Sequence, residues 1–302
     1  MPGQMFYWIL NMSITATFTG VVLLFLRKIK RIPRRMVFVL WAVPFLRMWV
    51  PVSIGSKYGL MEILSHVGVK TVMVYEGEAP VTTMNSIGAA DSYVPFVYKA
   101  GFLSDIFNTA FVLWLIGCTA FLGMLIFLYT GAKKELGYTT YWCSNIRLSE
   151  KISSPAVYGV FHPCIVMPVG YKDKEMTYIL AHEKAHIRRL DNFWRLMGFV
   201  TACVHWFNPF SWTFLKAFLE DMELSCDEKV LGGLDEREKK AYAAALVDCA
   251  ESRTVFASAF GGAKIHQRIR HILSYKKLSL FSALCFIVLA AAIAYALLTN
   301  GI

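Results

Sequence analysis

The sequence predicts a multi-pass α-helical membrane protein that carries one water-exposed α+β domain. Three observations lead there. Of 302 residues, 56% are hydrophobic and 17% charged, and mean hydropathy is +0.48. Soluble domains carry roughly 45–50% apolar and about 25% charged residues, so neither a disordered chain nor a purely soluble one fits. The apolar excess is gathered into long runs. The basic residues, which give a net charge of +10, alternate between the loops that join those runs.

A helix crosses a bilayer core with roughly 20 apolar residues. Residues 6–26, 102–129 and 278–298 meet that length. A weaker run, 36–54, contains Arg47, Pro44 and Pro51. It is read as a fourth span, because an arginine within a membrane faces protein rather than lipid. Charge then orients the chain, since positive loops stay inside. Residues 27–35, RKIKRIPRR, hold six Lys/Arg and no acid, whereas 55–100 holds three lysines against four acids and 130–277 holds 21 Lys/Arg. Alternation of four spans satisfies that pattern and three spans do not. Both termini and the loop 55–100 are therefore expected outside. The first run lacks a basic leader before it, so it reads as a retained anchor and not as a cleaved signal. The predicted domains are a membrane region, 1–129, a cytoplasmic domain, 130–277, and a final span, 278–302. Topology and contact with the anionic lipid bilayer account for the basic stretch 27–35. Nucleic-acid binding would want interleaved aromatics and a defined fold, so no direct nucleic-acid partner is expected.

Within 130–277 the chain opens with extended segments. Residues 141–148 and 157–168 are rich in Val, Ile and aromatics and are punctuated by Pro155, Pro163 and Pro168, which are hairpin and edge signals. The stretch 157–168 is a candidate edge for strand addition by a partner. Residues 173–190 have helical periodicity, with Asp173 as a cap. The apolar run 192–219 is broken at Asn208 and Pro209 into two short helices at the membrane face or in the core. Residues 220–231 and 235–251 are helical again, separated by Gly232 and Gly233, and 266–277 is basic. The seven cysteines include no CxxC pair and none in the predicted outer loop, so they read as reduced packing residues.

The chemistry concentrates at His182-Glu183-Lys184-Ala185-His186, an HExxH on the first of these helices. Residues i and i+4 share one helical face, so both imidazoles can meet one ion, with Glu183 beside it to take a proton from water. Zn2+ suits imidazole and carboxylate, and a catalytic site keeps three protein ligands and one open position. Glu223 and Asp227 are again i and i+4. Glu223 is expected as third ligand and Asp227 as the acid that orients a ligand imidazole. Glu220 and Asp221 remain rivals that spacing alone does not separate. Asp191 reads either as a helix-end contact or as a second orienting acid. His162 and His205 read as structural, with an oxyanion role as the alternative. A closed, non-catalytic site would need a fourth protein ligand, and none stands out near the motif. The expected domain is thus an α+β, zincin-like (HExxH) metallopeptidase.

HEKAHIRRLD at 182–191, WFNPFSW at 206–212 and DMELSCD at 221–227, with the protease between the third and fourth spans, resemble the BlaR/MecR family of bacterial membrane metallopeptidases. The resemblance covers nearly the whole chain. HExxH followed by ExxxD is also similar to the HtpX and CAAX-prenyl-protease group. The first resemblance implies a zinc endopeptidase of the cell membrane that transmits an outer signal. It implies cleavage of a winged-helix transcriptional repressor, which derepresses antibiotic-resistance or stress genes. It further implies a homodimer and self-cleavage before the last span, here near Ser258, Ala259 and Phe260. The β-lactam receptors of that family carry a penicillin-binding sensor after the fourth span. This sequence has no Ser-x-x-Lys on the predicted outer side, so a member lacking that sensor is expected. The competing readings are an HtpX-like quality-control protease and a receptor with a catalytically idle zinc site.

Overall fold

A computed structural model describes residues 2–29, 31–51, 101–135, 139–143, 145–150, 152, 154–169, 173–251, 264–275 and 280–298. The expected outer loop and the expected self-cleavage residues Ser258, Ala259 and Phe260 lie outside the described residues.

The chain opens with helix α1 (Pro2–Leu26), two short helices α2 (Arg34–Leu40) and α3 (Ala42–Trp49), and a 35-residue helix α4 (Gly101–Glu135). Among the described residues, two helices, Pro2–Leu26 and the part of α4 from Asp105 to Gly131, are long and apolar enough to cross a membrane. Within the expected second span, 36–54, the described residues form α2 and α3, which meet at Trp41 with helical backbone and with hydrogen bonds carried through from Val37 to Phe45. That indole turns inward and donates to Asp221 Oδ2 at 2.9 Å. Arg47 does face protein: its Nε and Nη2 donate to the carbonyl of Leu297 at 3.1 and 3.0 Å. Leu297 belongs to the last helix, α10 (Leu280–Leu298), whose terminal carbonyls would otherwise lack partners.

Four short strands follow: β1 (Thr140–Cys143), β2 (Ile146–Ser149), β3 (Ala156–Tyr158) and β4 (Cys164–Pro168). They form one sheet in the order β1-β2-β4-β3, with β2 and β4 parallel and both outer pairs antiparallel. Ile146, Ile165 and Met167 pack on Ile179 of α5 (Asp173–Arg188), so the sheet backs the helix that carries HExxH. The outer strand β3 is the edge of the sheet, and Asn192 Nδ2 reaches it, donating to the carbonyls of Val157 and Gly159 at 3.0 and 2.9 Å.

Helix α5 gives way to α6 (Asp191–Val204) through Leu190, a non-glycine residue at φ 56°. Left-handed backbone is rare for such a residue, and here it separates the two helices in a single step. Asn208 ends the next turn. Its side chain accepts from the amide of Phe210 at 2.9 Å, and Pro209 fills the first helical position, which together make a strong helix start. The same Asn208 donates to Ser13 and Thr17 of α1 at 2.8 and 2.9 Å.

The break at Asn208 and Pro209 is where the sequence places it, but the helix that follows does not stop near residue 219. Helix α7 (Pro209–Leu231) runs unbroken for 23 residues. Phe214, Phe218 and Met222 pack with Trp41 and Leu23, and the acidic residues lie from Glu220 onward. A methyl group on Gly20 would lie 2.2 Å from the Phe214 ring, so a glycine lets α1 and α7 approach. Helix α8 (Glu236–Glu251) starts with a reciprocal cap between Asp235 and Glu238, at 2.7 and 2.9 Å. Helix α9 (Ile265–Ser274) closes the domain through Ile272, which packs with Leu231, Tyr242 and Leu246.

Candidate metal centre

Helices α5 and α7 bring the sequence-predicted residues together. His182, Glu183, His186, Glu223 and Asp227 are all buried. The Nε2 atoms of His182 and His186 are 3.1 Å apart, and Glu223 Oε2 lies 3.7 and 3.8 Å from them. The point equidistant from these three atoms is about 2.1 Å from each, which is the bond length of zinc to imidazole and carboxylate. The donor set and its spacing therefore fit a zinc-like ion. The other oxygen of Glu223 is held by Arg195 of α6 at 3.2 Å, which leaves Oε2 turned to the histidines.

Each histidine is oriented from behind. His186 Nδ1 lies 2.6 Å from Asp191 Oδ2. Asp191 begins α6 and reaches back because Leu190 turns the chain so sharply. It is thus both a helix-end residue and a partner of His186. His182 Nδ1 is 2.9 Å from the Tyr242 hydroxyl and 3.3 Å from Asp227 Oδ1. The Tyr242 hydroxyl donates to Asp227 Oδ1 at 2.6 Å. Arg268 grips Asp227 with two bonds, Nε to Oδ2 at 2.8 Å and Nη2 to Oδ1 at 2.6 Å.

The rival acids face elsewhere. Glu220 and Asp221 pair with Arg27 at 2.6 and 2.7 Å, and Asp221 also meets Arg34 at 3.2 Å. Glu228 accepts from the amides of Arg34 and Arg35 at 2.9 and 3.1 Å. Lipid and topology are therefore not the whole account of residues 27–35: three of their arginines are tied to α7. The physical reason is that α7 winds its acids around two faces. One faces α5, and the other faces the arm between α1 and α2.

His205 is buried and its Nε2 lies 3.1 Å from the carbonyl of Met48, a packing contact remote from the pair. His162 is exposed in the loop before β4.

Tyr242, Arg268, Arg195 and Cys226 are the residues that sequence reasoning missed. Arg268 had a signal, since it shares a face with Ile265 and Ile272 and so puts a charge on an apolar stripe. Cys226 follows Glu223 by three residues, so it shares its face. Its thiol donates to the His182 carbonyl at 3.4 Å, and its sulfur and the two histidines have ligand atoms within 4.8 Å of one another. The expectation that no fourth donor stands near the motif is therefore corrected. The reading of this cysteine as packing alone is corrected with it.

The electrostatics follow from that crowding. Burial opposes charge on His186, but Cys226, Glu223 and Asp191 outweigh it and push the ring up to about 10. His182 is likewise raised, against burial, by Cys226, Tyr242 and Asp227. Burial would raise Glu223, yet the two histidines and Arg268 hold it well below the carboxylate range. Burial works the same way on Asp227, and Arg268 with His182 overcomes it. A metal-free site thus gathers protons where a cation would sit.

Two histidines one turn apart, joined by a carboxylate from a second helix, are the donor set of the HExxH class of peptidases. The chain belongs to the BlaR1 peptidase M56 family, whose model matches residues 7–273. It is similar to the regulatory protein BlaR1 of Bacillus licheniformis, 28% identical over 187 residues, which cover 54% of this chain and 31% of that relative. It is also similar to the methicillin resistance mecR1 protein of Staphylococcus aureus (strain Mu50 / ATCC 700699), 30% identical over 109 residues, which cover 35% of this chain and 19% of the relative. The chain thus spans about a third or less of the length of these relatives.

Proposed function

We propose that this chain is a membrane-embedded zinc endopeptidase acting in signal transduction. The observation that carries the reading is the convergence of His182, His186 and Glu223 on one point, with Glu183 on the adjoining helical position. His182, His186 and Glu223 would hold zinc. When bound, zinc supplies Lewis acidity toward water and toward a scissile carbonyl. Glu183 is the general base for the attacking water and returns that proton to the departing amine. Asp191 keeps His186 turned to the metal, and Tyr242 with Asp227 does the same for His182. Arg195 holds Glu223 Oε1 and would leave Oε2 for the ion. The substrate is a cytoplasmic transcriptional repressor of winged-helix type, with self-cleavage as a second outcome. The names of the BlaR1 and mecR1 relatives favour resistance genes as the regulated set. Four spans would place both termini outside and the protease inside the cell membrane.

The test uses intact masses of the repressor and of the full chain after incubation with zinc. Wild type should shorten the repressor, and Glu183→Gln should not. Equal cleavage by both would remove Glu183 from its role, and an intact repressor with both would remove the substrate assignment.

A second reading has its own observation. Cys226 lies close enough to the histidines to be a fourth ligand, which would close the site and leave an idle receptor. Cobalt substitution separates the two: a thiolate ligand adds an intense near-ultraviolet charge-transfer band that Cys226→Ser abolishes. The peptidase reading expects no such band, because the thiol is already engaged with the His182 carbonyl.

A further inference from the structure

We infer that Arg268 is a positioning residue that couples the docking of α9 to metal binding at His182, His186 and Glu223. The inference rests on the metal reading above and concerns its regulation.

Arg268 is 2% exposed. It forks onto both oxygens of Asp227 at 2.8 and 2.6 Å, the bidentate geometry that lysine cannot reproduce. Its Nη2 is also 3.2 Å from Nε2 and 3.4 Å from Nδ1 of His182. Those two nitrogens flank one ring carbon. An atom lying in the ring plane on the Nε2 lone pair would be far from Nδ1, so near-equal distances put Nη2 over the ring face. Arg268 thus lies against the ring beside the nitrogen that would meet a metal. Its Nη1 lies 3.5 Å from Glu223 Oε2. One side chain therefore touches two of the three candidate ligands and the acid that orients one of them.

Charge does not forbid this arrangement. A guanidinium beside a dication is repelled, but Asp227 neutralises it at contact distance. What Arg268 contributes is geometry: it fixes the carboxylate behind His182 and covers one face of the ring. The rest of α9 is held by Ile272 in the cluster with Leu231 and Tyr242, and by His271 against Glu228 at 3.0 Å. Helix α10 comes next in the chain and is tied at its far end to Arg47. A displacement of α9 thus withdraws the support of His182. Coupling of binding free energies is reciprocal, so an ion at the histidines must in turn hold α9 in place.

Hydrogen–deuterium exchange of the full chain in detergent, with zinc or with a chelator, reads this coupling over residues 265–274. Zinc is expected to slow exchange in α9 of the wild type several-fold. Arg268→Met should lose that response, and its zinc affinity should fall about tenfold, as for other losses behind a metal ligand. His271→Ala removes a contact of α9 that does not reach the ligands, and it should keep the zinc response. Wild-type protein that binds zinc with α9 exchange unchanged overturns the inference, as does Arg268→Met responding like wild type. The wild-type comparison stands even if that variant fails to fold. Failure of the wild type to bind zinc is a different result, and it overturns the metal reading along with the coupling.

Discussion

The Nε2 atoms of His182 and His186 face each other across 3.1 Å. Each ring has a partner at Nδ1, Asp191 for His186 and Tyr242 with Asp227 for His182. Those partners assign a proton to both Nδ1 atoms, and the raised affinity of both rings for a second proton puts that proton on the Nε2 side, where a metal would bind. Zinc binding should therefore release protons, as metal sites with protonated ligands do. Calorimetry in buffers of different ionisation enthalpy measures it. Release near zero would mean that the metal binds elsewhere.

The pH dependence has a definite sign. His186 is raised from 6.5 to about 10 in the folded, metal-free chain. A raised histidine binds its proton more tightly folded than unfolded, so it stabilises fully below about 6.5 and the gain is lost as pH rises through about 10. Metal-free protein should lose thermal stability across that window, while zinc affinity should rise across it. Melting curves with and without chelator test both. A metal-free melting temperature that climbs from pH 7 to 9.5 would contradict the assignment.

Asp191 is fully buried and its carboxylate supports His186 directly. Asp191→Ala should lower zinc affinity by about 10- to 100-fold, measured by competition with a chelating dye. An unchanged affinity would reduce Asp191 to a helix-start residue.

The small residues between α1, α4 and their neighbours make a separate prediction about the fold. A methyl group on Gly20 would lie 2.2 Å from the Phe214 ring, and one on Gly117 would lie 2.3 Å from Trp206, whereas one on Gly123 would meet no packing neighbour within 4 Å among the described residues. Gly20→Ala and Gly117→Ala should each cost about 1–3 kcal/mol, the usual penalty of overpacking. Gly123→Ala should be neutral or slightly stabilising, since alanine is the better helix former. Thermal melts in one detergent compare the three.

The parts of this site legible in the sequence are those whose geometry is local. HExxH sets its own i, i+4 face, and Glu223 with Asp227 does so again on α7. The choice of Glu223 over Glu220 and Asp221 needed the structure, because only packing shows that Arg27 and Arg34 claim the latter two. Arg195, Tyr242 and Arg268 come from α6, α8 and α9, and no spacing rule links residues held by three different helices. Membrane-type runs were legible by length, yet the tie of the Trp41 indole to a buried carboxylate 180 positions away was not. The continuity of α7 was obscured by composition, which changes from apolar to acidic near residue 220 with no helix breaker between.

The central claim is that one ion is held by His182, His186 and Glu223. Equilibrium dialysis against zinc, followed by elemental analysis, tests it on the wild type and on Glu183→Gln, Glu223→Gln and Glu220→Gln. The account predicts about one tightly held zinc in the wild type, Glu183→Gln and Glu220→Gln, and its loss from Glu223→Gln, as a three-ligand site requires. A wild type without zinc, or a Glu223→Gln variant that keeps it undiminished, would contradict the account.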